Sequence, residues 1–196
     1  GGYIGLEVAA SGRALGADVV VLEREERILA RVACKALSDF FTGYHQKNGV
    51  AFELGCSVTA FEGKDGHVAG VKLADGEVVP AEAVIVGIGI VPAVGPLILA
   101  GASGANGVDV DEFCRTSLPD VYAIGDVTRQ RNPVSGRFER IETWSNAQGQ
   151  ARALAGQLCG ESGAPVSAEV PWFWSDQGTL RLQCAGLPQA AVEVRR

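Results

Sequence analysis

The first half of the chain alternates between apolar residues at helical spacing and unbroken apolar runs. Residues 4–15 have helical spacing and stop at Gly16, and residues 32–48 have it again and stop at Gly49. Between them, residues 18–23 form a continuous apolar run that is typical of a strand buried on both faces of a parallel sheet. The pattern therefore predicts a helix, a buried strand and a second helix, in this order.

A period of two then replaces the helical period. This alternation predicts short strands over residues 50–54, 58–61, 68–73 and 78–79. Asp65-Gly66 and Asp75-Gly76 separate these strands and are typical of tight hairpin turns. Residues 83–86 predict a further buried strand, which returns to the parallel sheet.

The second half is less regular. Residues 87–107 are interrupted by glycine and proline, which favours a crossing between domains. Beyond them, the pattern predicts strands over 108–113, 121–124 and 180–183, an arginine-rich polar loop over 127–140 and a helix over 145–158. Ser145 and Gln148 form an S-x-x-Q capping box at the start of that helix.

Composition and charge exclude several classes of protein. The 196 residues are 47% hydrophobic and 20% charged, which is enough for a buried core and excludes a disordered chain. The net charge of -6, without a basic run, argues against nucleic acid as the main partner. The longest apolar run, residues 83–94, is broken by glycine and proline, so we expect no membrane-spanning segment. Five cysteines without a C-x-x-C pair indicate a reducing, cytoplasmic setting and no zinc site.

Gly2 and Gly5 make up two thirds of a G-x-G-x-x-G turn at the start of the first helix. Glycines there let the backbone approach a pyrophosphate, which faces the helix N-terminus. Glu23 ends the following strand, 18 residues after Gly5, near the spacing expected of a carboxylate on the adenine ribose. Because a carboxylate repels a 2'-phosphate, the pattern favours NADH over NADPH. The alternative is a tight turn followed by a solvated glutamate.

Gly125-Asp126 ends the predicted strand 121–124. Doubly wound folds bind ligands at such strand ends, where an aspartate can accept hydrogen bonds from polyol hydroxyls. An ordinary turn aspartate is an equal alternative. The N-terminus of the helix at Ser145 could stabilise a negatively charged reduced flavin, or could simply be a capped surface helix end.

Aromatic and basic side chains supply further candidates. Trp172, Phe173 and Trp174 could stack on a cofactor, although a core or interface cluster is the stronger interpretation. Tyr3 could cover a nicotinamide or could be a packed surface aromatic. Four cations lie within twelve residues and could dock an acidic protein, or could line a solvated loop, at Arg129, Arg131, Arg137 and Arg140.

These motifs together resemble one family. The chain contains, in order, GGYIGLEVAA, VVVLERE, VIVGIGIVP, DEFCRTSLPDVYAIGDV, ETWSNAQGQA and PWFWSDQ. It is similar over nearly its whole length to the FAD-dependent, NADH-using ferredoxin reductases of aromatic-ring dioxygenase and cytochrome P-450 electron-transfer systems. Apoptosis-inducing-factor-like oxidoreductases share the WSD element and are the nearest alternative.

The resemblance implies site residues for FAD and NAD. For NAD it implies five features. These are the glycine turn (Gly2, Tyr3, Ile4 and Gly5), the nicotinamide-side Glu7, the ribose acid Glu23, the basic position Arg31 and a closing loop (Gly87, Ile88 and Gly89). For FAD it implies the ribityl acid Asp126 next to Gly125, the segment at the flavin pyrimidine edge (Trp144 and Ala147) and the Trp174 ring beside the isoalloxazine.

Members of the family begin with an FAD-binding half that is absent here, and Ala93 replaces their usual asparagine. We therefore expect part of a longer enzyme. The fold class is α/β, with two Rossmann-like dinucleotide-binding parts, the second incomplete, and the start of a small α+β C-terminal domain. The corresponding boundaries are 1–86 for the NAD-binding domain, 87–163 for part of the FAD-binding domain and 164–196 for the C-terminal domain.

The family's reaction requires no general acid or base. The intact enzyme is expected to transfer a hydride from NADH to FAD and then single electrons to an iron-sulfur ferredoxin that feeds an oxygenase. The missing C-x-x-C argues against a disulfide reductase. The alternatives are an NADH oxidase, an apoptosis-inducing-factor-like NADH oxidoreductase, or a non-catalytic dinucleotide-binding fragment. The chain alone is expected to bind FAD poorly.

Overall fold

The computed structural model of the chain has mixed helices and strands, in agreement with the predicted α/β class. It describes residues 1–132, 136–160 and 170–186. Within these ranges, no helix combines the length and the apolar character needed to cross a bilayer.

The internal contacts divide the chain into two units. The N-terminal unit contains residues 1–88 and 174–182, and the second unit contains the described part of residues 89–173 together with residues 183–186. The domain boundaries drawn from the sequence stay predictions, and the one between residues 163 and 164 lies outside the described residues.

The N-terminal unit begins with the predicted helix, strand, helix and strand. These are α1 (Tyr3–Ala14), β1 (Val19–Glu23), α2 (Lys35–Lys47) and β2 (Val50–Leu54). β1 and β2 are parallel, and Glu23 at the end of β1 pairs with the last residue of β2. The carboxyl ends of both strands therefore lie at one edge of this sheet.

The core of the N-terminal unit lies between its helices and the loop after β1. Its fully buried side chains belong to Leu6, Ile28, Leu29 and Phe41, against which Leu180 and Leu182 also pack. The prediction that β1 is buried on both faces is wrong. Val21 is buried beneath α1, but neighbouring Val20, which points to the other face, is 44% exposed.

A three-stranded antiparallel sheet follows β2. Its strands are β3 (Val58–Lys64), β4 (His67–Leu73) and β5 (Val78–Pro80), in that order across the sheet. The β3–β4 turn has Asp65 and Gly66 both at positive φ, 53° and 81°, as a tight Asp-Gly hairpin turn requires.

The strand predicted over residues 83–86 is not formed. Ile85 and Val86 are 68% and 59% exposed. The apolar run has the composition of a buried strand, but none of the described residues pairs with it in a sheet. A strand cannot form without a neighbouring ladder, whatever its composition.

The second unit contains a four-stranded sheet. Its strands, in order across the sheet, are β6 (Gly104–Ala105), β7 (Gly107–Val110), β8 (Thr128–Arg131) and β9 (Phe138–Glu139). The β7–β8 pair is parallel, and the outer pairs are antiparallel. Val108 is fully buried against Val94 and Ala102, below the short helix α3 (Gly95–Leu99).

Three sequence predictions in this unit are wrong. Residues 127–140 are not a loop, because β8 and β9 lie within them: β8 pairs with β7, and β9 pairs with β8. Residues 121–124 are not a strand, since only Tyr122 forms a bridge, to Arg115. The strand predicted over 108–113 ends at Val110, where the Asp111 side chain accepts the backbone N–H groups of the following turn.

The last helix, α4 (Trp144–Leu158), has a different cap from the predicted one. Thr143 is the N-cap, and its Oγ1 accepts the Asn146 N–H at 3.2 Å. Ser145 lies inside the first turn, and its hydroxyl donates to the Trp172 carbonyl at 2.9 Å instead. The strands β10 (Trp172–Gln177) and β11 (Leu180–Ala185) then form a two-stranded hairpin.

Candidate functional site

The glycine turn of the N-terminal unit presents an uncapped helix end. Gly2 is the N-cap of α1 with an extended backbone, and this N-cap makes no side-chain hydrogen bond to the first turn of the helix. A Cβ atom added to Gly2 or Gly5 would meet nothing within 4 Å. One added to Gly87 would lie 3.6 Å from the Gly5 backbone, so the loop at Gly87 passes beside the turn. This end of α1 suits a ligand with negative charge.

Glu23 lies beside the same turn. Its Oε2 is 3.0 Å from the Gly1 backbone nitrogen, and its Oε1 accepts the Glu25 N–H at 2.9 Å. Partial burial acts to raise the pKa of Glu23, but its hydrogen bonds with the backbone of Glu25, Gly1 and Arg24 outweigh this effect and hold the pKa below its usual value. The structure therefore brings the predicted glycine turn and ribose acid together.

The loop after β1 is fastened to the turn by contacts that the sequence did not reveal. The Leu29 N–H donates to the Gly1 carbonyl at 2.9 Å. The Arg27 guanidinium donates to the Ala33 carbonyl at 2.9 Å and to the Ser38 hydroxyl at 2.6 Å. Arg31 lies on this loop and is exposed. A buried serine and an internal arginine thus fix the loop that carries the predicted basic position.

Tyr3 packs against the core of the N-terminal unit, and its hydroxyl donates to the Val32 carbonyl at 3.4 Å. Ile4, the next residue, is 71% exposed. Ile88 is 84% exposed, and Gly89, with φ of 97°, begins the second unit. The packing role of Tyr3 is observed, whereas roles for these residues toward NAD stay predictions.

Glu7 is held by the hairpin that contains β10. Its Oε1 accepts the Ser175 hydroxyl at 2.6 Å and the Asp176 N–H at 3.0 Å. Among the described residues, no donor reaches its Oε2. No local pattern predicts this contact, because Glu7 and Ser175 are 168 positions apart.

The Gly125-Asp126 turn of the second unit is fixed through its backbone. Gly125 has φ of 77° and opens a short 3-10 turn that ends at Val127. The fully buried Gln150 accepts the Gly125 N–H at 2.5 Å, and its amide donates to the Thr128 hydroxyl at 3.0 Å. Thr128 in turn donates to the Gly125 carbonyl at 2.8 Å. Three side-chain hydrogen bonds therefore hold this turn.

The Asp126 carboxylate itself is exposed, and none of the described residues hydrogen-bonds to it. Ala147 lies close by, 3.6 Å from a Cβ atom added to Gly125. Trp144, the first residue of α4, is 58% exposed. This part of the second unit offers a free acid on a fixed turn, which fits a polyol chain. Trp174 lies in the N-terminal unit and is 41% exposed.

The predicted basic patch is partly neutralised within the second unit. Arg129 pairs with Asp109 at 3.1 Å and lies over the Phe138 ring. Arg140 has a side chain only 13% exposed and pairs with Glu142 at 2.8 Å. Arg131 donates to the Gly136 carbonyl at 3.1 Å, and Arg137 is exposed in the following turn. Of the four arginines, Arg140 is the least available to a partner.

Each unit thus has a feature that is typical of dinucleotide-binding folds: a glycine turn entering a helix with an acid at the next strand end in the N-terminal unit, and a Gly-Asp turn in the second. A family model described as pyridine nucleotide-disulphide oxidoreductase matches residues 1–151, and the chain belongs to this family.

Two relatives and one solved structure show which members of this family the chain is similar to. The chain is 54% identical over 195 residues to the 5,5'-dehydrodivanillate O-demethylase ferredoxin reductase subunit of Sphingobium sp. strain SYK-6, covering 98% of this chain and 47% of the relative. It is 42% identical over 186 residues to the ferredoxin--NAD(+) reductase component of the p-cumate 2,3-dioxygenase system of Pseudomonas putida, covering 95% and 44%. The crystal structure of the covalent putidaredoxin reductase–putidaredoxin complex has a TM-score of 0.90 at 37% identity, covering 96% and 45%. The chain thus spans about half the length of the curated relatives it matches.

Proposed function

We propose that the chain is the NAD-binding part, with a portion of the FAD-binding part, of an NADH-dependent ferredoxin reductase. The observation that carries the proposal is the uncapped glycine turn of α1 with the Glu23 carboxylate beside it. The names of the relatives support ferredoxin as the electron acceptor.

In the N-terminal unit, the first-turn N–H groups of α1 would bind the pyrophosphate of NADH. Glu23 would accept hydrogen bonds from the adenine ribose hydroxyls, since each of its carboxylate oxygens has a lone pair beyond its present contact. The same negative charge would repel the 2'-phosphate of NADPH. Arg31 and the loop at Gly87 and Ile88 would border this site.

In the second unit, Asp126 would accept hydrogen bonds from the ribityl chain of FAD, on the turn that Gln150 fixes. Trp144 and Ala147 would border the flavin from α4. The N-terminus of α4 would favour negative charge on a reduced flavin. When bound, NADH supplies the hydride and FAD passes its electrons on singly.

The partner in this proposal is an iron-sulfur ferredoxin, and the similarity to putidaredoxin reductase, solved in covalent complex with putidaredoxin, supports a protein acceptor. Arg137 and Arg131 are the better candidates for docking it, because both are exposed whereas the Arg140 side chain is only 13% exposed. We place the protein in the cytoplasm, where its five free thiols would stay reduced.

Glu23→Ala tests the dinucleotide part of the proposal. Titration calorimetry with NADH and NADPH is expected to show roughly tenfold weaker NADH binding and a smaller preference over NADPH, since a hydrogen bond to a charged group is worth about 1.5–3 kcal/mol. Glu53→Ala is the matched control, because it removes the same charge from the neighbouring strand β2. Unchanged affinities for both nucleotides in the Glu23 variant would remove Glu23 from the site.

A chimera tests the acceptor. The part of the Sphingobium reductase subunit that lies outside the matched 195 residues is joined to this chain, and NADH-driven reduction of a ferredoxin is followed spectroscopically. Reduction of the ferredoxin supports the proposal. Electron transfer to O2 alone would identify an NADH oxidase instead.

A further inference from the structure

A chain of buried polar side chains runs from Glu7 into the interior of the N-terminal unit. The Ser175 hydroxyl is 2.6 Å from Glu7 Oε1, and Gln177 Nε2 is 3.2 Å from the same hydroxyl. Gln177 Oε1 is 2.8 Å from His45 Nε2, which belongs to α2. Ser175, Gln177 and His45 are each fully buried.

The carboxylate end fixes the direction of every hydrogen bond in this chain. A carboxylate only accepts, so the Ser175 hydroxyl donates to Glu7 and must itself accept from the Gln177 amide. The Gln177 carbonyl then faces His45, whose Nε2 must carry the proton that it donates. All three bonds therefore point their donors toward Glu7, an arrangement in which successive hydrogen bonds polarise one another.

The β10–β11 hairpin does not need this series of polar hydrogen bonds in order to pack against the rest of the unit. Leu180 and Leu182 already pack against the apolar core, and the Tyr44 hydroxyl contacts the Thr179 N–H and hydroxyl at 2.9 and 3.1 Å. Apolar side chains in place of buried polar ones would pack the same space at lower desolvation cost. What the polar chain adds is a fixed orientation of one carboxylate.

That orientation leaves Glu7 with one engaged oxygen and one open oxygen. Oε1 receives two donors, from Ser175 and from the Asp176 N–H, whereas no donor among the described residues reaches Oε2. A primary amide, such as the carboxamide of a nicotinamide ring, offers the N–H donors that Oε2 lacks.

We propose that Ser175, Gln177 and His45 are positioning residues that hold the Glu7 carboxylate toward the nicotinamide carboxamide of a bound dinucleotide. The inference rests on the proposed function, because it takes the ligand of the N-terminal unit to be NAD. It adds three residues, from α2 and β10, that lie outside the glycine turn and never touch the ligand themselves.

The experiment compares two ligands that differ only in the nicotinamide. Dissociation constants of the 196-residue chain for NAD+ and for ADP-ribose are measured by titration calorimetry. Ser175→Ala is expected to weaken NAD+ binding about threefold to tenfold, because Glu7 then loses its fixed orientation toward the nicotinamide. Binding of ADP-ribose, which has no nicotinamide, is expected to be unchanged. Ser175→Thr, which keeps the hydroxyl, is expected to retain the affinity for NAD+. In a Glu7→Ala background, Ser175→Ala should cause no further loss.

Tyr44→Phe is the matched control. It removes the other polar link between α2 and the hairpin, but this link does not lead to Glu7. If Ser175→Ala prevents folding, as judged by circular dichroism, Gln177→Leu is used instead. It removes the hydrogen bond one step further from Glu7, and the expected loss of NAD+ affinity is about threefold.

Several results would overturn the inference. Equal weakening of both ligands by Ser175→Ala, or the same effect from Tyr44→Phe, would reveal a purely structural role. Unchanged NAD+ binding in a folded Ser175→Ala variant would do the same while leaving the proposed function intact. If the wild-type chain binds neither ligand, the proposed function fails and the inference fails with it.

Discussion

The two candidate sites hold their acidic side chains in opposite ways. In the N-terminal unit, the carboxylates themselves are held by hydrogen bonds. Glu7 accepts from the Ser175 hydroxyl and the Asp176 N–H, and Glu23 contacts the Gly1 nitrogen and the Glu25 N–H. In the second unit, the Asp126 carboxylate has no hydrogen bond from the described residues, and the backbone on either side of it is fixed instead.

The difference follows from what each acid is attached to. Glu7 and Glu23 lie on a regular helix and strand, whose backbone groups are already paired, so that only the side chain can be oriented further. Asp126 lies in a turn with a glycine at positive φ, where the backbone itself would be free without Gln150 and Thr128. A preorganised acid therefore needs side-chain partners on regular structure and backbone partners in a turn.

The largest expected effect is that of removing the backbone anchor in the second unit. Gln150→Leu leaves the partly buried Gly125 N–H without its acceptor and the buried Thr128 hydroxyl without its donor, and we expect a loss of about 2–3 kcal/mol in the free energy of unfolding. Urea denaturation measures this loss.

Gln148→Leu is the control for that variant. Gln148 lies on the same helix, but its amide only accepts an exposed hydrogen bond from Arg152, so we expect a change within about 0.5 kcal/mol. Equal changes for the two glutamines would mean that Gln150 does not fix the turn.

Local pattern predicted the elements whose partners are close in sequence. The helical spacing that begins beside Gly5 and the apolar run that ends at Glu23 located α1 and β1 to within a residue or two. The Asp65-Gly66 turn was predicted because its dipeptide alone determines the backbone. The meeting of Glu23 with the glycine turn also follows from short-range order, since one strand and one helix separate them.

Partners that are distant in sequence could not be predicted in this way. The polar strand β8 forms because β7 supplies its ladder, whereas none of the described strands pairs with residues 83–86, although their composition favours a strand. The alternation of residue types in β10 is related to the buried hydrogen bonds between Glu7, Ser175, Gln177 and His45. In β10, Ser175 and Gln177 alternate with Trp174, and the structure buries the two polar residues and half-exposes the tryptophan, the reverse of the usual amphipathic strand.

A direct test of the comparison removes each type of acid. Glu7→Ala leaves the buried Ser175 hydroxyl and the Asp176 N–H without their acceptor, and we expect a loss of about 1–2 kcal/mol in the free energy of unfolding. Asp126→Ala removes a carboxylate that holds no described group, so we expect a change within about 0.5 kcal/mol. Parallel urea titrations of the two variants decide; a larger loss for Asp126 than for Glu7 would reverse the distinction between the sites.

The smallest effect concerns the pH dependence that Glu23 contributes. Because the pKa of Glu23 in the folded chain lies below its ordinary value of 4.5, its contacts stabilise the fold above pH 4.5, and this contribution is lost as the pH falls through the lowered pKa. The difference in unfolding free energy between the wild-type chain and Glu23→Gln should be largest at about pH 6–7, below about 1 kcal/mol because the group is partly exposed, and should shrink toward about pH 3 and in about 1 M salt. Glu53→Gln is the matched control on β2, since the Glu53 side chain makes no ion pair with the described residues. A difference for Glu23→Gln that persists unchanged at low pH would show that packing, and not the charge of Glu23 beside the glycine turn, is what the fold uses.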